Sequence, residues 1–275
     1  MNISVLLANN EICGKADESK ASAIEAEVEK AFANGEFKVY LQPRFSLTTG
    51  KIVGAESLVR WQKEDGTLLP PDSFIPVYEK NGRIIDLDFY MFEETVKLLA
   101  KWKEQGLPQR LISINASALH AQNSDTIHRY TAILEKYGVD PALTELELTE
   151  TATVSDYDHV KQLFAKLRTV GFRTALDDFG AGYSVLNTVI DIPVNTVKVD
   201  RAFINNCEIT PKGIYFLREI INLLKGLGYH IVCEGVETPE QASILRNTMC
   251  DEVQGYWFSP PVPVDEFEKM LQEGR

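Results

Sequence analysis

Short runs rich in apolar and β-branched residues recur along most of the chain: FKVYLQP, KIVGAESLVRW, LISIN, LELTE, TALDDF, TVKVD, IVCEGV and EVQGYWF. From the second run onward they alternate with stretches of helical period, among them FEETVKLLAKW, DHVKQLFAKL, IYFLREIINLLKGL and PEQASILRNTM. Apolar strands alternating with helices predict a parallel sheet covered by helices, and eight such strands predict a closed barrel. The first two runs break the alternation. Only RFSLTTG separates them, which is too short for the crossover helix that parallel neighbours require, so they should form an antiparallel hairpin. The expected fold is therefore α/β, a (β/α)8 TIM-type barrel with its first strand antiparallel to the others. A doubly wound open sheet is the competing architecture, but no glycine-rich turn follows the first strand. Ahead of the hairpin, AIEAEVEKAFANG places Ile24, Val28, Ala31 and Phe32 on one helical face, and Gly35 closes it. The one boundary falls near residue 20, with 1–19 read as a linker or the remnant of a preceding domain and 20–275 as a single domain.

A chain of 275 residues with 44% apolar composition can bury one large core. Its formal charge of -12 repels polyanions, which argues against a nucleic-acid binder and leaves any phosphorylated ligand dependent on metal ions or a few placed cations. Cys13, Cys207, Cys233 and Cys250 show no CxxC spacing, a pattern of reduced thiols in a cytoplasmic protein rather than of zinc ligands. The opening MNISVLLANNEICGK has no basic leader, and no segment approaches a bilayer-spanning run. A soluble domain without membrane insertion is expected, with a segment of a longer protein as one reading.

Glu56, Asn115, Glu147, the adjacent Asp177 and Asp178, Lys198, Glu234 and Gln254 stand at or near the ends of these runs. In a barrel the carboxyl ends of the strands share one face, so residues far apart in sequence would converge there. Along the second strand Gly54, Glu56, Leu58 and Arg60 share one parity, while Val53, Ala55, Ser57 and Val59 share the other and suit packing against helices. Glu56 thus points inward, with Arg60 nearer the rim, and a hairpin turning around Thr49 brings Gln42 opposite or next to Glu56. So many acids cannot stay ionised together without compensation. Carboxylates with the amide oxygen of Asn115 form a hard oxygen set that favours magnesium or manganese over zinc, and Asp177 with Asp178 suggests a bridge between two ions. Plainer readings stand beside these: a strand-end acid such as Glu150 can cap the next helix, and Lys198 with Asp200 can be a simple ion pair. Cys233 reads as a buried small hydrophobe, and His120, His128, His159 and His230 fall outside the pattern and receive no chemistry.

The segments YLQP, GAESLVRW, FIPVYEKNG, INAS, LELTE, DDFGAGYSVL, VKVDRAFI, CEGVET and QGYWFSPPVP, in this order from about Phe37 to Leu271, closely resemble the EAL domain family, bacterial phosphodiesterases acting on the second messenger cyclic di-GMP. The resemblance implies a barrel with an antiparallel first strand, and a reaction in which a metal-activated water opens the cyclic dinucleotide to linear pGpG. By motif it implies that Glu56, Asn115, Glu147 and Asp177 bind metal and that Asp178 serves a second ion. Glu234 and Lys198 would hold or activate the water, with Asp178 also counted among the catalytic groups. Arg60 would contact substrate phosphate, and Gln42, Leu58, Asp200, Glu237 and Gln254 would line the pocket. One or two Mg2+ or Mn2+ ions are implied, with Ca2+ binding and inhibiting. DDFGAGYSVL resembles the family's mobile loop, anchored by Glu150. A homodimer is implied, as are sensory or GGDEF-type domains in a longer parent protein. Ser57, Ala181, Val185 and Cys233 depart from the usual pattern, Ser57 and Cys233 lying beside the metal residues rather than among them. Two further readings keep the same residues: a cyclic di-GMP receptor or protein scaffold without useful turnover, and an enolase-like site, which would need a lysine or histidine base facing a carboxylate.

Overall fold

A computed structural model of the chain describes residues 30–149, 153, 156–181, 186–206 and 210–275. It divides into two compact units, Met1–Lys38 with Val59–Ile84, and Val39–Leu58 with Ile85–Arg275. Of the expected N-terminal helix, Ile24 and Val28 lie outside the described residues, as do Cys13, Glu150, Val185 and Cys207. Residues 30–33 are helical, Ala31 is buried, and Gly35 follows at φ +62°.

The strands are β1 (Phe37–Ser46), β2 (Ile52–Gln62), β3 (Leu68–Leu69), β4 (Leu111–Asn115), β5 (Thr144–Thr149), β6 (Arg173–Phe179), β7 (Thr196–Val199), β8 (His230–Cys233), β9 (Glu252–Val253) and β10 (Val262–Pro263). In the larger unit, β1, β9, β8, β7, β6, β5, β4 and β2 pair in that order, and a β1–β2 pairing closes the ring. From β2 through β4 to β9 every neighbouring pair is parallel. The first strand alone runs the other way, antiparallel to β9. This is the eight-stranded barrel with the predicted hairpin. Two short strands were not expected, β3 and β10, because a two-residue ladder is too brief to show a period.

The sequence reading ends β1 at Pro43; the strand continues to Ser46. Proline removes a ladder donor and ordinarily ends a central strand. Here β10 pairs with Tyr40 and Leu41, and β9 pairs with Phe45 and Ser46, so Pro43 falls in the gap between two partners. The connection shortens accordingly, and Arg44 becomes an interior residue of the barrel.

The helices are α1 (Ile75–Asn81), α2 (Ile84–Glu104), α3 (Thr126–Tyr137), α4 (Tyr157–Thr169), α5 (Leu186–Asp191), α6 (Arg201–Asn206), α7 (Pro211–Gly226), α8 (Pro239–Leu245) and α9 (Val264–Gln272). Helix α8 starts at a capping box, with Thr238 accepting from the Gln241 amide and Gln241 reaching back, and Pro239 sits in the first turn. Helix α7 buries Leu217, Ile221 and Leu224 at helical spacing. Helices α3 and α9 were not singled out in the sequence: the first buries Thr126, Tyr130 and Leu134, the second Phe267 and Leu271. Leu146, Leu148, Ile112, Ile114, Val197, Val199 and Ile231 form the core with residues from these helices. Among the described residues no helix is long and apolar enough to cross a membrane.

At the amino ends of the parallel strands the barrel is closed by charge. Arg44, 1% exposed, places Nη1 2.9 Å from Glu145 Oε2 and Nε 3.2 Å from Glu252 Oε2. Thr196 donates to Glu145 Oε1 at 2.5 Å, and His230 Nε2 lies 2.7 Å from Glu252 Oε1. Gly54 gives the guanidinium room, since a Cβ there would stand 2.7 Å from the Leu111 carbonyl oxygen and 2.9 Å from Arg44 Nη2.

The smaller unit holds β3 against the end of β2, pairing Trp61 with Leu69. Its core is aromatic: Phe37 lies 4.9 Å from Phe32, 5.6 Å from Trp61 and 5.7 Å from Phe74 between ring centroids. Trp61 Nε1 donates to Glu36 Oε2 at 2.8 Å.

Candidate active site

The carboxyl ends of the parallel strands deliver their polar residues to one point. Strand register sets Asn115 beside Glu147 and Thr149 beside Asp177, and the pleat turns alternate residues of each strand inward. At the centre is the Lys198 ammonium, fully buried. It lies 2.7 Å from Glu147 Oε2, 2.7 Å from Glu234 Oε1, 3.2 Å from Glu56 Oε2 and 3.2 Å from Asp177 Oδ1. Glu56 also accepts from Asn115 Nδ2 at 2.9 Å and from Gln254 Nε2 at 2.7 Å, and Gln254 Nε2 reaches Gln42 Oε1 at 3.0 Å. The predicted neighbourhood of Gln42 and Glu56 is thus spanned by the Gln254 amide.

One cation among four carboxylates, Glu56, Glu147 and Asp177 buried and Glu234 partly exposed, leaves an acidic excess, and the titration of each acid follows from its share of that cation. Burial pushes Glu56 up, yet Lys198, Gln254 and Asn115 hold it below the usual carboxylate range. Burial raises Glu147 well above that range, against Lys198 and with help from Glu56, Asp177 and Glu234. Burial likewise raises Asp177 and carries Glu234 to about 8. Asp178, partly exposed, is pushed up to about 6 by burial, Asp177 and Asp200. Lys198 is raised well above its ordinary value, because the four acids outweigh the cost of burial.

The donor chemistry fits a hard divalent cation: all the acids offer oxygen, their charge is under-compensated, and Glu147 Oε1 is buried without a hydrogen-bond partner. The carboxylates nevertheless close on Lys198, and among the described residues no three Asp, Glu, His or Cys side chains form a ready ligand set.

Asp178 adopts φ +57°, the one positive φ outside glycine among the described residues, a strained conformation for an L side chain. The register between β6 and β7 shifts at this point, and the Ala181 amide bonds back to the Asp178 carbonyl at 3.0 Å. Gly180, at φ +96°, has no space for a side chain, because a Cβ would lie 2.4 Å from the Phe203 ring. We expect Gly180→Ala to destabilise the fold by about 1–3 kcal/mol, the strain falling on the turn that carries Asp178. Thermal melts of the variant and wild type check this.

Ser57 faces outward, as its parity requires, and its Oγ lies 2.8 Å from Thr95 Oγ1 on α2. Ser57→Ala should cost about 1 kcal/mol of stability, the value of one buried hydrogen bond, readable in denaturation measurements. Cys233 is fully buried in the core.

Other sequence expectations fare differently. Lys198 and Asp200 do not pair: Lys198 turns to the four acids, and Asp200 Oδ1 accepts from the Ala202 amide at 2.7 Å, capping the start of α6. Glu237 is half exposed, 4.0 Å from Arg201, and Leu58 is partly exposed without a polar role of its own. Arg60 belongs to the smaller unit, where its Nη1 donates to the Val59 carbonyl at 2.8 Å. Glu150 and Val185 lie outside the described residues; Ala181 is exposed. His120, to which no chemistry was assigned, is 1% exposed and lies 3.0 Å from Asp88 Oδ2. It follows β4 by five residues, and its place in a strand-to-helix connection was the only available signal.

A family model described as the EAL domain matches residues 25–261. The signaling protein YkoW of Bacillus subtilis is 35% identical over 249 residues, covering 90% of this chain and 31% of that protein. The cyclic di-GMP phosphodiesterase NbdA of Pseudomonas aeruginosa is 32% identical over 252 residues, covering 92% of this chain and 32% of its own length. The chain therefore spans about a third of these curated relatives. Among solved structures, the PaMucR phosphodiesterase in its c-di-GMP complex is similar with a TM-score of 0.82 at 27% identity, covering 89% of this chain and 99% of that one. The ordered motifs, the barrel with one reversed strand and the model match over most of the sequence agree: this chain belongs to the EAL domain family.

Proposed function

We propose that the chain hydrolyses cyclic di-GMP to linear pGpG, with Mg2+ or Mn2+ as cofactor. The observation that carries this reading is the meeting of Glu56, Glu147, Asp177 and Glu234 around Lys198 at the carboxyl end of the barrel. Relatives named cyclic di-GMP phosphodiesterases support the substrate. Glu56, Asn115, Glu147 and Asp177 would hold one ion and Asp178 a second. Such ions neutralise phosphate charge and lower the pKa of water.

The protein's own groups supply position and proton traffic. Glu234, carried to about 8 by burial, is basic enough in its ionised form to take a proton from an attacking water at its carboxylate oxygens. Lys198 fixes that carboxylate by a 2.7 Å contact and offers a positive charge to the developing negative charge on phosphate. Arg60 would bind a phosphate oxygen through its guanidinium. Gln42, Leu58, Asp200, Glu237 and Gln254 would complete the pocket. The domain would act in the cytoplasm, as a homodimer within a longer signalling protein, with Ca2+ binding unproductively.

A second reading, a cyclic di-GMP receptor without turnover, draws on the ammonium that already partly balances the acids. Incubation of the purified chain with cyclic di-GMP and Mg2+, Mn2+ or Ca2+ in turn, followed by chromatography, separates the two. Linear product with Mg2+ or Mn2+ is expected; binding with no product under any ion would leave the receptor.

A further inference from the structure

A buried carboxylate stands outside the acid group and has no part in the chemistry above. Asp88, on α2, is 7% exposed. Its Oδ2 accepts from the Ser117 amide at 2.8 Å and lies 3.0 Å from His120 Nε2. The surroundings are aromatic: the His120 ring meets Phe89 edge-on at 5.0 Å, and Tyr130 OH is 3.3 Å from His120 Nε2. Burial raises the Asp88 carboxyl, against its hydrogen bonds. An apolar side chain would fill such a wall at lower cost if packing were all that was needed.

What the carboxylate holds is the turn after β4. Asn115, the last residue of that strand, donates to Glu56. The next amide, Ala116, is tied to the Glu147 carbonyl at 2.9 Å, and the one after it, Ser117, is tied to Asp88. Ser117 also accepts from the Leu119 amide, starting the short helical turn Ala118–Gln122 that carries His120 back to Asp88. The Thr126 hydroxyl then anchors the His120 carbonyl at 3.0 Å. The loop is therefore closed on itself through one carboxylate. We propose that Asp88 and His120 are a positioning pair for Asn115, fixing the turn 115–117 so that the Asn115 amide stays against Glu56. Its effect on rate rests on the phosphodiesterase reading; its effect on Asn115 does not.

The test compares wild type with Asp88→Leu, Asp88→Asn and His120→Phe. In protein labelled with 15N at asparagine, the side-chain amide of Asn115, an exposed residue held by its bond to Glu56, is identified by its loss in Asn115→Ala, and its exchange with water in wild type is the reference rate. Asp88→Leu should speed that exchange at least about tenfold and lower kcat about 10- to 100-fold, as expected for a misplaced site group, with KM within about twofold. Asp88→Asn keeps an acceptor for the Ser117 amide and should restore both to within about threefold of wild type. His120→Phe should fall between, and it carries the test if Asp88→Leu does not fold. A lower melting temperature with wild-type Asn115 exchange in both Asp88→Leu and His120→Phe would overturn the proposal. If wild type makes no linear product, the phosphodiesterase reading fails, and the amide exchange still decides the role of Asp88.

Discussion

Glu234→Ala should lose about 1,000-fold or more of the cyclic di-GMP turnover proposed above, the scale of a missing general base, yet should be no less stable than wild type in the absence of divalent ions. The two halves of this expectation have one cause. Glu234 is one of four carboxylates sharing the Lys198 charge, and burial with its acidic neighbours raises its pKa to about 8. A carboxyl raised on folding costs stability once pH exceeds its unfolded value, and the cost grows until pH passes the folded value. Removing it relieves that cost at pH 8 and leaves Lys198 with three partners. Glu56→Ala should also lose nearly all of that proposed turnover, but it deletes an acid held below the usual range, so it should lower stability at neutral pH. Initial rates and urea denaturation of the two variants, with metal chelated for the stability arm, separate these behaviours. Near-normal hydrolysis by Glu234→Ala would reassign the base.

Arg44→Ala should destabilise the fold by about 3–5 kcal/mol at pH 7, the cost of breaking a buried charge network by removing one partner. Glu145 is fully buried, and burial alone would push it up; Arg44 and Thr196 hold it low. Glu252 is likewise held low against burial by His230 and Arg44. For carboxyls with depressed folded values, the stabilisation is present above the unfolded pKa and disappears as pH falls through the folded one. Wild type should thus weaken on acidification. The variant should lose part of this dependence, because protonating the stranded acids becomes favourable. Denaturation curves at pH 7 and pH 4 test the sign: a deficit as large at pH 4 as at pH 7 would place the damage in lost packing instead.

Much of the barrel was legible because its signals are local. The short spacing between the first two strands dictated a hairpin, and the parity of β2 separated Glu56, facing the acids, from Ser57, facing Thr95. Strand-end acids were legible as a group because a barrel gives those ends one address. Arg44, Glu145 and Glu252 were not, since acids at strand starts look like ordinary solvated charges, and Pro43 concealed that β1 continues past it. Asp88 and His120 escaped for another reason: a helix and a loop meet there through tertiary packing, with no spacing rule to join them. The choice of Asp200 to cap α6 rather than pair with Lys198 was equally invisible, because both options satisfy the same carboxylate.

The Arg44 cluster lies at the opposite end of the strands from Lys198, which uncouples durability from chemistry. Exchanging Arg44, Glu145 and Glu252 together for well-packed hydrocarbon side chains is the kind of replacement that is often neutral or stabilising in protein interiors. An engineer could re-stopper the cylinder in this way and leave the acid-lined rim untouched, gaining tolerance for the destabilising substitutions that altered substrate choice usually brings.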